Sequence, residues 1–400
     1  MTPLPSVEKV LRRIYASALC MDAGFFLVLA AIPYKILALG GGPLALGAIP
    51  AISSVTYIGL TLVAGRHSDR AGRFGMNSWG CLCFAAFCAL ALAARDHAPL
   101  ALAMPLLGAG AALYWPAVQA AIGDLASPQD LKREIGRFNL AWGVGKALGF
   151  LMGGLLLAAC GFAAAFGTGA ALVTISFLLL PRGSAPLAGG RAAPGGADAA
   201  AVVPAATAAT FRRMAWLANF GAFGAGGVLN HQLPKWFAVS GWSEARFGIF
   251  LAAIYLAQAA AFLLLAGRVR FAWSVRRLLV PQLAAMLVLA ALPLAPGWGW
   301  LLAAAPILGG AFGVCYAASI FYSLQAPTGK GRNAGIHESL IGAANFAVPL
   351  TAGGAVRASG SLALPYPLAA AVMGLAVAAQ AHLARRLSWP PRPAPEGRSP

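Results

Sequence analysis

The 400-residue chain is 60% apolar and only 10% charged, with a mean hydropathy of +0.76, whereas roughly a quarter of the residues in an ordinary soluble domain carry charge. That composition excludes a soluble enzyme and a disordered chain, so lipid must be the solvent for most of the surface. The formal net charge of +18 does not indicate a nucleic-acid partner, because no soluble stretch is long enough to gather basic residues on one folded face.

Nearly continuous apolar runs are interrupted about every 20 to 30 residues by short polar or Gly/Pro-rich turns, the spacing of helices that cross a hydrocarbon core of about 30 Å. Twelve spans are expected, at roughly 14–37, 43–65, 75–94, 98–123, 137–158, 162–181, 213–234, 244–267, 277–294, 298–325, 335–357 and 364–385. No ten-residue alternation recurs, which excludes a closed barrel. The expected architecture is an all-α integral membrane protein. Residues 1–181 form one six-helix bundle, 182–212 a flexible cytoplasmic linker, 213–385 a second six-helix bundle and 386–400 a cytoplasmic tail. With the amino terminus inside, 23 of the 29 Lys and Arg fall in cytoplasmic segments, five fall outside (Lys35, Arg95, Lys235, Arg246, Arg357), and Lys146 lies within a span. That bias puts both termini in the cytoplasm. The excess of Arg over Lys, with abundant Ala and Gly, points to a bacterial inner (plasma) membrane.

The first span follows Glu8, Lys9, Arg12 and Arg13 and is too long for a signal peptide, so it is expected to stay in place. It carries Asp22, an acid at membrane depth, where an ionisable group costs about 2.5 to 3.5 kcal/mol on insertion scales. After the second span the chain reads Gly65-Arg66-His67-Ser68-Asp69-Arg70-Ala71-Gly72-Arg73-Phe74-Gly75. Gly65 permits close helix approach, Gly72 a tight turn, and the Asp69 carboxylate can accept hydrogen bonds from a helix amino terminus. This segment resembles the signature G-x-x-x-D-R-x-G-R-[RK] of the major facilitator superfamily, with Phe74 in place of the last base. The resemblance implies a twelve-helix transporter in which Asp69 faces helix eleven. It also implies that Asp69, Arg73 and Asp124, at the end of span four, latch the cytoplasmic side shut, with Gly65, Arg70 and Gly72 completing the gating motif.

Span four carries Gly108-Ala-Gly110-Ala-Ala-Leu-Tyr114 and span five Gly145-Lys-Ala-Leu-Gly149-Phe150-Leu-Met-Gly153-Gly154. Both are similar to motifs of proton-coupled drug exporters, but Met104 stands where those exporters carry an arginine and Phe150 where they carry a proline. Lys146 lies, like Asp22, about 13 Å from the cytoplasmic end of its helix at 1.5 Å per residue. The two either form a buried structural pair or face the cavity as a proton- or solute-binding pair. Beyond the Pro/Gly/Ala-rich linker the pattern repeats at an offset near 200: Pro33, Lys35, Gly40 and Gly47 answer Pro234, Lys235, Gly241 and Gly248, and Gly136 and Gly143 answer Gly335 and Gly342. A parallel repeat of six helices places a solute site between the halves near the midplane.

By the resemblance, helices one, four, seven and ten line that site. The solute-contact candidates are Tyr114, Trp115 and Gln119, then Asn230, His231 and Gln232, then Tyr316, Ser319, Tyr322 and Ser323, with Asn139, Trp142 and Asn345 beside them. His337 and Glu338 at the start of span eleven join Asp22 and Lys146 as proton-coupling candidates. The low-charge lining suits a small organic solute, neutral or weakly charged. The six cysteines all lie in spans and read as small apolar residues, and His337 has no second ligand nearby in sequence, so no metal or other cofactor is expected. No nucleophile–base set suggests an enzyme. The expectation is a monomeric secondary transporter that moves its solute by alternating access with protons. The other reading is a protein of the same fold that does not pump, flippase-like or an assembly factor.

Overall fold

The computed structural model describes residues 7–71, 73–126, 130–181, 203–266, 273–294, 297–324 and 330–387, with backbone alone at 63–71, 131–132, 266 and 330–331. The described residues form helices α1 (Val7–Ala38), α2 (Pro43–Ala71), α3 (Arg73–Ala93), α4 (His97–Leu125), α5 (Leu131–Leu179), α6 (Ala205–His231), α7 (Leu233–Val239), α8 (Glu244–Ala266), α9 (Val275–Ala291), α10 (Trp298–Leu324), α11 (Lys330–Ser359) and α12 (Pro365–Ala384). Among the described residues, ten helices are long and apolar enough to cross a membrane.

Two elements differ from the expected spans, each for a local reason. The spans expected at 137–158 and 162–181 run together in α5, whose 49 residues would extend about 74 Å if straight, more than twice a hydrocarbon core. The chain reverses inside it at Gly161, where φ is 75° and ψ −170°, a conformation open to glycine and strained for other residues. The seventh span begins earlier than expected, at Ala205. Neither repeat proline ends its span: Pro33 lies inside α1, and Pro234 sits in the first turn of α7, where a missing N–H costs nothing. Arg212, Arg213, Asn219, Asn230 and His231 make α6 too polar to count among the ten by hydropathy, although its 27 residues reach about 40 Å. With α5 counted twice and α6 continued by α7, the architecture fits twelve crossings.

α1 to α5 pack on one another, as do α6 to α12, and the two bundles meet through α2 with α11 and α5 with α8. Leu62, Trp79, Leu102, Leu287 and Leu375 stand exposed on the outside, the arrangement of a surface covered by lipid and not by water. Each bundle contains a buried polar cluster that links its helices. Ser17 Oγ lies 2.7 Å from Tyr114 Oη and 2.8 Å from Ser176 Oγ in the first, and the Gln282 and Gln380 amides bond reciprocally at 3.0 and 2.8 Å in the second. In an apolar medium such side-chain bonds hold helices in register.

The repeat-related glycines explain the joint between the bundles. Gly40 and Gly241 both have positive φ, 85° and 70°, and turn the chain between spans. Gly47 on α2 packs on α11, where a Cβ would meet Pro349 O at 2.5 Å, while Gly248 on α8 packs on α5, where it would meet Phe150 O at 2.6 Å. Gly143 lies against Ala259 of α8 and Gly342 against Ile58 of α2. Matching glycines thus make matching inter-bundle contacts. The Gly47 and Gly248 contacts close the face opposite the chain's starting end, here the far face. Gln232 Nε2 adds to the closure by donating to Pro43 O at 3.1 Å and Pro349 O at 3.2 Å.

Candidate functional site

A cavity of about 160 Å³ lies between the bundles. Its first-bundle wall comes from Phe25 and Phe26 of α1, Ser53, Ser54 and Tyr57 of α2, Trp115 and Gln119 of α4, and Trp142 and Lys146 of α5. The second bundle supplies Phe223, Asn230 and His231 of α6, Tyr255 and Gln258 of α8, Phe312 and Tyr316 of α10, and Glu338 and Asn345 of α11. Five of the solute-contact candidates from the four expected lining helices reach it (Trp115, Gln119, Asn230, His231 and Tyr316), and Trp142 and Asn345 from the flanking helices reach it as well.

Other candidates lie elsewhere. Tyr114 is fully buried in its hydrogen-bonded cluster with Ser17 and Ser176. Gln232 belongs to the far-face closure. Ser319 bonds His337 Nδ1 at 2.7 Å, and Ser323 accepts from Trp216 Nε1 at 3.0 Å. The Tyr322 hydroxyl accepts from Trp273 N at 3.0 Å, and Asn139 is not among the lining residues.

Lys146 is 4% exposed, and its ammonium is surrounded by rings: Tyr255 at 3.8 Å, Phe26 at 4.7 Å, Trp142 at 5.4 Å and Phe223 at 5.7 Å from the centroids. A cation over aromatic faces recovers part of its lost hydration, about 2 kcal/mol or more when desolvated. Among the described residues, no carboxylate lies within 4.0 Å of it, Asp22 included. Asp22 is fully buried behind the wall, where Oδ1 accepts from Trp115 Nε1 at 3.0 Å and Oδ2 has no partner among the described residues.

Glu338 Oε2 accepts from the Tyr57 hydroxyl at 2.6 Å, and Gln119 lines the same cavity. The donor belongs to the first bundle and the acid to the second, so this contact spans the joint. Next to it Trp142 stacks on Tyr316 at 5.1 Å and 19°, a second tie across the same joint. His337 does not line the cavity. Its ring packs edge-on to Tyr316 at 5.1 Å, with Nε2 buried and unpartnered among the described residues.

At the face where the chain begins, the near face, Arg73 Nε donates to Asp124 Oδ2 at 3.0 Å, joining α3 to α4. The side chains of Asp69 and Arg70, the surroundings of Gly65 and all of Gly72 lie outside the described residues. A network not expected from sequence sits nearby: Glu134, almost completely buried, accepts from Tyr15 Oη at 2.6 Å, Arg133 Nε at 2.9 Å and Arg137 Nη1 at 3.1 Å. Tyr57, Tyr255, Gln258, Phe26 and Phe223 were also not singled out from sequence. Gln258 stands alone as a polar residue in the apolar run of α8, three residues after Tyr255, and that one-turn spacing is the signal that points both at one side of the helix.

A sequence profile of the Major Facilitator Superfamily matches residues 14–349. The chain belongs to that superfamily, and it is accordingly a multi-pass membrane protein of a transporter family. Its fold resembles a bacterial homologue of the human lysosomal transporter Spinster, solved inward-facing and occupied, at 18% identity over 98% of this chain and 100% of that one, with a TM-score of 0.72. The POT family transporter PepTSo matches at 14% identity over 96% and 98% of the two chains, TM-score 0.71. The human organic anion transporter MFSD10 (TETRAN) matches at 18% identity over 94% and 100%, TM-score 0.63. Comparison with curated protein sequences gave no match.

Proposed function

We propose that this protein is a secondary active transporter that carries a small organic solute through the inter-bundle cavity by alternating access, with protons as the coupling ion. The observation that carries the reading is the Glu338 cluster. The acid both lines the cavity and accepts from the Tyr57 hydroxyl of the opposite bundle. As a carboxylate it makes a short, charge-assisted bond to that hydroxyl. Protonation removes the charge and weakens the bond, so gain and loss of a proton changes the hold of one bundle on the other. Asp22 is the weaker candidate for this role, because its one hydrogen bond, to Trp115, stays within the first bundle.

The test uses the purified chain in liposomes enclosing a pH-sensitive dye, exposed to a panel of organic acids, amines and neutral solutes. Flux of at least one solute should move protons and should respond to an imposed pH gradient. In Glu338→Gln, solute exchange should persist while the response to the gradient disappears. Movement of lipid without solute flux would instead favour the flippase-like reading, and an unchanged gradient response in Glu338→Gln would remove that residue from the coupling step.

A further inference from the structure

We infer that the Lys146 cage is the receptor for the carboxylate of a monoanionic organic acid with a flat apolar body of about one ring. The inference deepens the carrier reading and rests on it in one respect, that the cavity is the solute's route.

Among the described residues Lys146 is the one lysine or arginine lining the cavity, and it is held there without a close ion pair, Asp22 acting on it only from beyond 4.0 Å. An ammonium has three N–H donors. The rings of Tyr255, Phe26, Trp142 and Phe223 offer π faces but no strong acceptor in the cage, and among the described residues no carboxylate lies within 4.0 Å. Retaining such a charge at membrane depth is costly, and residues kept on those terms mark the paths of substrates or ions. A ligand carboxylate supplies what the cage lacks, an anionic acceptor for donors already desolvated and positioned.

The surroundings narrow the class further. A cationic ligand would compete for the same π faces against a fixed positive charge, so amines are disfavoured. A dianion would meet one base only, with the Glu338 carboxyl lining the same cavity from the other bundle. Phe25, Phe26, Trp115, Trp142, Phe223 and Phe312 supply apolar area on several sides, which suits a planar body that can stack or meet ring edges. The volume, about 160 Å³, is of the class that holds a single aromatic ring.

The cage also joins recognition to movement. Lys146, Phe26 and Trp142 belong to the first bundle, while Tyr255 and Phe223 belong to the second. The ammonium therefore ties the bundles together through these rings. A carboxylate that draws the ammonium away from Tyr255 releases that tie at the moment of binding.

The test is a charge series on one ring, measured by tryptophan fluorescence of the full chain in lipid nanodiscs, since Trp115 and Trp142 line the site. The probes are phenylacetate, phenylacetamide, phenethylamine and phenylmalonate. Wild-type protein should bind phenylacetate at least about tenfold more tightly than the other three, the discrimination expected of a hydrogen bond to a charged group. Lys146→Gln should lose about tenfold to a hundredfold of the phenylacetate affinity and leave phenylacetamide unchanged. If that variant does not fold, the wild-type series decides alone. Equal or tighter binding of the amide, the amine or the dianion overturns the inference, and so does failure of all four to bind. Gradient-driven flux of some other solute without phenylacetate binding would defeat this site and leave the carrier standing. Phenylacetate binding with no solute flux in liposomes would do the reverse.

Discussion

The far-face joint between α5 and α8 is made of backbone, and a single methyl group should be enough to open it. A Cβ at Gly154 would lie 2.7 Å from Gly248 Cα and 2.8 Å from Gly248 N, whereas carbon atoms rest at about 3.5 to 4.0 Å. Gly154→Ala must therefore part the two helices by about 1 Å, enough to forfeit up to about half of each contact's dispersion energy. Overpacking of this kind costs about 1 to 3 kcal/mol. The cost falls on the conformation closed at the far face and is relieved when α5 and α8 separate, so it shifts the closed-to-open ratio by about 5- to 150-fold. Spin labels on Leu102→Cys and Val239→Cys, both exposed and in opposite bundles, report the separation once the exposed Cys160 and the half-buried Cys20 and Cys83 are replaced. Gly154→Ala should add a longer-distance population. Gly354→Ala, where nothing lies within 4 Å of the added carbon, should not. An unchanged distance distribution in Gly154→Ala would refute the argument that backbone contact holds this face shut.

Asp22→Asn keeps an oxygen for Trp115 Nε1 and should leave the protein level intact, whereas Asp22→Leu strands that donor at a cost of about 1 to 3 kcal/mol, readable as a lowered Tm. Because Asp22 and Lys146 make no close ion pair, the double substitution Asp22→Ala/Lys146→Ala should express no better than the worse single variant, and recovery of expression would restore a structural pair. Asp69→Asn is expected to reduce transport severely at an unchanged membrane level, as the family signature implies, and normal flux would detach that mechanism from this loop. Gly190→Cys in the linker should resist an impermeant thiol reagent added to intact cells if the termini are cytoplasmic, and ready labelling would invert the topology.

Much of the scaffold was legible in the sequence, because lipid imposes simple rules on length and polarity. The apolar runs located the spans, and the offset glycines located the repeat. Their shared role, placing Gly47 and Gly248 at equivalent backbone contacts, could be read only once the bundles were joined. The continuous run through Gly161 hid a reversal, since nothing but one backbone angle distinguishes it. The site was legible in part. Lys146, Glu338, Trp115 and Trp142 stood out as polar or aromatic residues at depth, but the cage around Lys146 needs Tyr255 and Phe223 from the other half of the chain. Such convergence depends on how helices are rotated, which low-contrast apolar sequences scarcely encode. Asp22 illustrates the opposite limit: its depth matched that of Lys146, yet its helix rotation turned it behind Trp115.

The glycine seam at the far face has a consequence for what the protein can sense there. Its contacts between Gly154 and Gly248 and between Gly47 and Pro349 involve no ionisable group, so ionic strength and acidity have little purchase on them. Short-range attraction decays within an ångström or so of separation, which makes such a seam yield abruptly and not by degrees. The natural control variables of that door are mechanical: the lateral squeeze of the lipid, hydrostatic pressure and temperature. At the other face the described ion pairs, Arg73 with Asp124 and Glu134 with Arg133 and Arg137, lie within the first bundle, so salt acts there on that bundle's own packing and not on the seam.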